Sequence, residues 1–288
     1  MKRCITEKQI YAYQQFLYEE EKSTATIEKY IRDLRKLQAY IDGQELTKVR
    51  MIEYKEALKQ SHAYQLSSIN SFIVAANRFC EFMGWYDLKI KIFRMQKEAF
   101  MPENQNLSRG EYKRLVQTAE KQGKKRLALL IETICATGIR VSELKGITVK
   151  SVEKGVADIY CKGKARKILI PQTLQKKLLC YIKKQNIIQG IVFQTASGNA
   201  LDRSNIWREM KALCEAAGVL KDKVYPHNLR HLFARVFYHI GKDIAKLADV
   251  MGHSNIETTR NYIKTSGFEH KRQLDAMGLV CAVNGDTT

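Results

Sequence analysis

The sequence predicts a mainly α protein of two domains that carries one small antiparallel β-hairpin. Three observations lead there. Apolar residues recur at spacings of three and four through most of the chain, the mark of amphipathic helices. The one strand-like region lies between Val156 and Ile170, two apolar β-branched runs separated by a lysine-rich turn. The helical periodicity stops between Lys97 and Asn106, where Pro102 and two asparagines fall, and then resumes. One domain is therefore expected at 1–98 and a second at 107–288, with a linker between them.

The first domain reads as four helices. One runs from Thr6 to about Glu20. Ser23 and Thr24 begin a second, whose face carries Ile27, Tyr30, Ile31, Leu34, Leu37 and Ile41 and which Gly43 ends. Thr47 caps a short third helix to about Gln60. In the fourth, Leu66, Ile69, Phe72, Ile73, Ala76, Phe79, Cys80 and Met83 share a face, and Gly84 closes it. Lys29, Arg32, Arg35 and Lys36 form a basic row that is either a solvated face or a track for a phosphate backbone.

Beyond the linker, Ser108 and Glu111 have capping-box spacing. Helices are expected at about 109–121 and 125–136, broken at Thr137-Gly138. Arg140 follows the break, and a helical turn over Val141–Leu144 brings Glu143 within its reach. Val156–Cys161 and Lys167–Ile170 form the hairpin, with Lys162, Gly163, Lys164 and Ala165 at its tip. Helices return at about 172–185 and 202–217, with Phe193 in an apolar segment between them. Leu229, Leu232, Phe233, Val236 and Phe237 make the stripe of the next helix. Asp243 caps another, with Ile244, Leu247, Ala248 and Met251 inside and Gly252 at its end. Ser254 and Glu257 are again spaced as a capping box, so a further helix starts just after His253 and carries Tyr262.

Charge narrows the partner. The 288 residues hold 49 Lys and Arg against 30 Asp and Glu, a formal net charge of +19. Residues 1–100 carry 17 basic and 13 acidic side chains, whereas residues 101–288 carry 32 and 17. Neutralisation of phosphates is the usual reason for such an excess, which favours nucleic acid over an anionic membrane. The seven cysteines include no CxxC pair, which argues against a disulfide framework and a cysteine-rich zinc site. No apolar run has the length of a signal segment or a membrane span, so the expectation is a cytoplasmic protein in a reducing compartment.

The chemistry-bearing residues cluster in Pro226–Thr265, with Arg140 far upstream. Phosphodiester transfer needs a nucleophile, cations on the non-bridging oxygens and an acid for the leaving oxygen. Tyr262 can be the nucleophile. Arg140 and Arg230 can fork onto phosphate oxygens. His227, one helical turn before Arg230, can move a proton near neutral pH. Lys162 at the hairpin tip can protonate the departing oxygen. Each has a bland alternative: a tyrosine among 14 is more often a packing residue, Arg140 with Glu143 can be a structural ion pair, and Lys162 with Lys164 a solvated turn. His231 lies four after His227, a metal-pair spacing, but HNLRH lacks the glutamate of HExxH and zinc is not expected. A rival of a different class reads DIAKLADVMGHSNIETTRNYI as a helix-turn-helix, making the protein a non-catalytic DNA-binding regulator. That reading leaves Arg140, the hairpin tip and HNLR unemployed.

ATGIRVSEL, the KGKARKILIP hairpin, HNLRHLFA and MGHSNIETTRNY occur in this order, and with them the second half resembles the catalytic domain of tyrosine recombinases, the phage integrase family that includes the Xer recombinases. The helical first half is similar to the family's core-binding domain. The resemblance implies an active-site set of Arg140, Lys162, His227, Arg230 and His253 with Tyr262 as nucleophile, no metal and no cofactor. Cys161 stands where many members have glycine, and Lys164 competes with Lys162 as the general acid. The resemblance further implies a clamp around duplex recombination sites, four protomers on DNA linked through C-terminal segments such as Leu274–Val280, and an accessory protein or partner recombinase. A bundle beginning almost at Met1 leaves no room for an extra arm-binding domain. A type IB topoisomerase would share the chemistry.

Affinity for duplex DNA should fall steeply with salt, and residues 101–288 should carry most of the slope, because each neutralised phosphate releases condensed counterions. Binding by the two halves across a salt series checks this; a steeper slope for residues 1–100 would contradict it.

Overall fold

A computed structural model describes residues 2–95, 105–161, 164–264 and 267–277. The chain divides into two compact units, Met1–Lys97 and Glu98–Thr288. Among the described residues, no helix is long and apolar enough to cross a membrane.

The first unit is built from α1 (Glu7–Glu19), α2 (Thr24–Ile41), α3 (Lys48–Gln60) and α4 (Leu66–Phe82). Thr6, Ser23 and Thr47 cap the first three by accepting backbone N–H groups that the helix itself leaves unpaired. α4 begins without a side-chain cap, and Leu66, expected on the inner face, is 42% exposed because its first turn precedes the packed part of the helix. α2 ends one residue before the expected glycine: Asp42 takes the left-handed conformation, and Gly43 follows it at positive φ. Tyr13, Leu17, Leu34, Leu37, Met51, Ile73 and Phe79 form the core. The basic row is not uniform. Asp33 is buried on α2 and accepts from Lys29 Nζ at 2.8 Å, and the same ammonium donates to Ser71 Oγ of α4 at 2.6 Å. Lys29 therefore pins α2 to α4 as well as facing solvent.

The second unit contains α5 (Arg109–Lys121), α6 (Lys125–Thr137), a 3-10 turn (Val141–Gly146), α7 (Val149–Lys154), β1 (Val156–Cys161), β2 (Lys164–Leu169), α8 (Gln172–Lys184), α9 (Arg203–Lys211), α10 (Pro226–Gly241), α11 (Ile244–Met251), α12 (Ile256–Ile263) and α13 (Gly267–Ala276). α6 is the centre. It is apolar on nearly every side, burying Leu127, Leu130, Ile131 and Ile134, and it packs on α5, α8, α9 and α10. Among the described residues the architecture is the mainly helical one with a single two-stranded antiparallel sheet.

Local departures from expectation have physical reasons. β2 starts at Lys164, paired with Cys161, because strand pairing is made by the backbone and extends past the apolar run. Lys162 lies outside the described residues, as does most of the expected linker. α9 stops at Lys211, where the next N–H groups of Leu213 and Cys214 bond three residues back, so the chain tightens into turns instead of continuing to 217. α7 has only six residues, too few to show a periodic stripe. The cap of α12 is Asn255, not Ser254, its Oδ1 accepting the Glu257 N–H at 2.8 Å. In the expected C-terminal contact segment, Leu274 and Met277 are exposed at 66% and 56%, and 278–280 lie outside the described residues.

Gly138 ends α6 at φ 63°, and a Cβ there would stand 2.4 Å from Phe233 Cδ1. Left-handed backbone and a ring in the way both oppose a side chain. Gly138→Ala should therefore destabilise the protein by about 1–3 kcal/mol, read as a lower urea midpoint; an unchanged midpoint would contradict the packing described.

Candidate active site

Each site residue is delivered by an end or a turn. Gly138 reverses the chain after α6, Ile139 anchors it in the core, and Arg140 opens the 3-10 turn. Glu143 fixes Arg140 twice, accepting its backbone N–H and its Nη1, both at 2.9 Å. Burial pushes the Glu143 carboxyl up, but hydrogen bonds from Arg140 and Arg166 outweigh this and hold it below the usual carboxylate range. Pro226 starts α10 at a position where a missing N–H costs nothing, and His227 and Arg230 follow one turn apart. Gly252 ends α11 in the left-handed conformation, which turns His253 back toward α10. Asn255 then starts α12, whose inner face carries Thr259 and Tyr262.

Arg230 is 1% exposed. It donates to the carbonyls of Gly138 and Met251 and, at 2.9 Å, to His253 Nε2. Among the described residues none of its hydrogen-bond partners is a carboxylate. Its guanidinium lies 5.5 Å from the centre of the Tyr262 ring. Burial, then the charge of Arg140, pushes its pKa down to about 10. A guanidinium only donates, so His253 Nε2 accepts and the imidazole proton sits on Nδ1, 2.9 Å from Thr259 Oγ1.

Tyr262 is 6% exposed and lies among three imidazoles. The rings of His227, His231 and His253 stand 5.0, 4.4 and 5.1 Å from its own. His227, Arg140 and Arg230 also line a cavity of about 790 Å³, with Arg203, Trp207 and Tyr225. Burial lowers the pKa of His227, and the nearby charge of Arg230 lowers it further.

The structure thus brings Arg140, His227, Arg230, His253 and Tyr262 to one place. Lys162 falls outside the described residues, and so does the side chain of Lys164. Motif reading passed over His231, stacked on Tyr262, and Arg166. The first was visible only as a metal-pair spacing; the second fell between the expected turn at 162–165 and the expected strand at 167–170 and gave no signal. The segment that also read as a helix-turn-helix buries Leu247, Met251 and Tyr262 against α10, so it walls the site.

His231 and His253 are both pushed down to about 4, first by burial and then by His227 and Arg230 respectively. Their folded pKa values lie below the ordinary value of 6.5. Their contribution to stability is complete above that value and is lost as pH falls toward 4. Unfolding midpoints should drop between about pH 7 and about pH 5, above the range where ordinary carboxylates titrate, and His231→Asn should flatten that drop. An equal slope in the variant would contradict the buried neutral imidazole.

The phage integrase family matches residues 105–267. Over 272 residues, 92% of either chain, the sequence is 27% identical to the tyrosine recombinase XerA of Pyrococcus furiosus. Two solved structures share the fold. The XerH site-specific recombinase bound to palindromic difH substrate in a post-cleavage complex matches at TM-score 0.71 and 19% identity, over 89% of this chain and 80% of that one. A lambda integrase tetramer bound to a Holliday junction matches at TM-score 0.73 and 15% identity, over 90% and 77%. With the family match running through both arginines, the histidines and Tyr262, the chain belongs to the phage integrase family, the tyrosine recombinases.

Proposed function

We propose that this recombinase cuts and rejoins duplex DNA at specific sites through a phosphotyrosine made on Tyr262. The observation that carries the reading is Arg230, a buried cation facing the Tyr262 ring with carbonyls and an imidazole for partners. Among the described residues Arg230 has no carboxylate partner, and a scissile phosphate would supply the anion.

Tyr262 Oη attacks the phosphorus and its proton passes to His227, held neutral by burial. As the new bond to Oη forms, the bond to the 5′ oxygen breaks, and Lys162 or Lys164 protonates that oxygen. The product is a 3′-phosphotyrosine and a free 5′-hydroxyl. Arg140 and Arg230 carry the negative charge that grows on the non-bridging oxygens. The 5′-hydroxyl of a partner strand then attacks the phosphotyrosine and releases Tyr262. The bond energy is conserved, so no external energy source enters.

Exchange of four strands calls for four protomers on the DNA, with Leu274–Val280 as the linking segment and 1–98 as the core-binding domain that completes the grip on the duplex. The lambda integrase tetramer on a Holliday junction supports this assembly. An accessory protein or partner recombinase fits the same scheme. The protein works with its DNA in the cytoplasm.

Tyr262→Phe should bind duplex as wild type does and lose covalent capture, since the ring packs as before and only the hydroxyl is gone. A nicked suicide substrate on a denaturing gel reads the adduct; capture by the Phe variant would assign the nucleophile elsewhere.

A further inference from the structure

Arg166 has no part in the chemistry above, yet its side chain reaches three elements of the site. It lies on β2 opposite Ile159, and only 13% of its side chain is exposed. Its Nη2 donates to Glu143 Oε2 at 2.5 Å, on the same carboxylate that holds Arg140. Its Nη1 donates to the carbonyl of Val250 at 3.0 Å, three residues before His253. The stem between them passes over Gly252, where a Cβ would stand 2.4 Å from Arg166 Cδ. Gly252 is thus required twice, for its φ of 63° and for the room it leaves the arginine.

A buried arginine–glutamate pair adds little stability over an apolar pair of the same size. Among the described residues the buried Nε of Arg166 has no hydrogen-bond partner. What the arrangement does supply is fixed geometry among the lysine-bearing hairpin, the turn that aims Arg140 and the turn that aims His253. We infer that Arg166 is a positioning residue, fastening the hairpin to the phosphate clamp so that it sets the rate of strand cleavage and not the affinity for duplex. The inference rests on the strand-transfer reading above.

Arg166→Met keeps the stem over Gly252 and removes both donors. Arg166→Lys keeps the charge and reaches Glu143 or the Val250 carbonyl, but not both. Gly252→Ala displaces the stem from the other side. Each full-length variant is taken at a temperature where circular dichroism shows it folded. Duplex affinity is measured by fluorescence anisotropy, and single-turnover adduct formation on a nicked suicide substrate at saturating protein. Affinity should stay close to wild type, while adduct formation slows by on the order of 10²-fold for Arg166→Met, as for a small misplacement of reacting groups, and by less for Arg166→Lys. Gly252→Ala should also be slow, and adding Arg166→Met to it should slow it little further, because both changes break one linkage. Were Arg166→Met unable to fold, Arg166→Lys and Gly252→Ala carry the same test. A folded variant with the wild-type rate, or a defect confined to affinity, overturns the inference while the wild-type adduct leaves the strand-transfer reading standing. No adduct from wild type would overturn that reading and the inference together.

Discussion

The second unit is organised around a positive charge held out of water. Arg230 sits in the core of α10, where an isolated ion is costly unless its donors are satisfied. The fold meets this at the two terminal nitrogens, chiefly with the loose ends of other helices: the carbonyl of Gly138 at the end of α6 and that of Met251 at the end of α11, while Nε is without a partner among the described residues. The last carbonyls of a helix have no partner of their own and carry its negative pole, so each is a natural acceptor for a cation. Both helices end in glycine with left-handed backbone, which turns the chain at each end, and the room left by the missing side chains is taken by Phe233 and by the stem of Arg166. The constraint that buries the charge is thus the one that delivers Arg140 from one turn and His253 from the other.

Around this cation the imidazoles are uncharged and, among the described residues, the one carboxylate is already paired. The imidazoles of His231 and His253 are kept neutral by burial, and the carboxylate of Glu143 is shared between Arg140 and Arg166. Arg140 is left partly exposed and, among the described residues, no carboxylate pairs with Arg230, so the field at the two guanidinium groups is positive. In the proposed reaction a phosphate entering the site would meet two planar forks whose mutual repulsion it relieves, and the gain would grow as charge accumulates on its oxygens. Tyr262 packs beside these groups, its ring in contact with three histidines, which would limit the motion needed for the proposed attack.

Much of this was legible in the sequence because it depends on local rules. The capping box at Ser108, the break at Gly138, the Arg140–Glu143 pairing, the stripe of α10 and the reversal at Gly252 are all settled by neighbours within a few residues. What escaped depends on distant partners. α7 is too short for a periodic signal, and the end of α9 is set by tightening of its last turn rather than by a breaker residue. Lys164 joins β2 through backbone pairing to Cys161 that no side-chain pattern announces. Arg166 and His231 matter through contacts with Val250 and Tyr262, 84 and 31 residues away, and a linear reading has no access to such pairs.

The central claim is that the buried cation and its neutral surroundings exist to make Tyr262 a nucleophile toward phosphorus. The most direct measurement traps the protein on a nicked suicide duplex, digests it with trypsin and locates the nucleotide by mass spectrometry. Cleavage after Arg260 and Lys264 isolates Asn261, Tyr262, Ile263 and Lys264 as one fragment. The account predicts that this fragment carries the DNA through a 3′-phosphate on the tyrosine. Nucleotide on any other fragment, such as one containing Tyr225 of the cavity that Arg140, His227 and Arg230 line, or no covalent product at all, would contradict it.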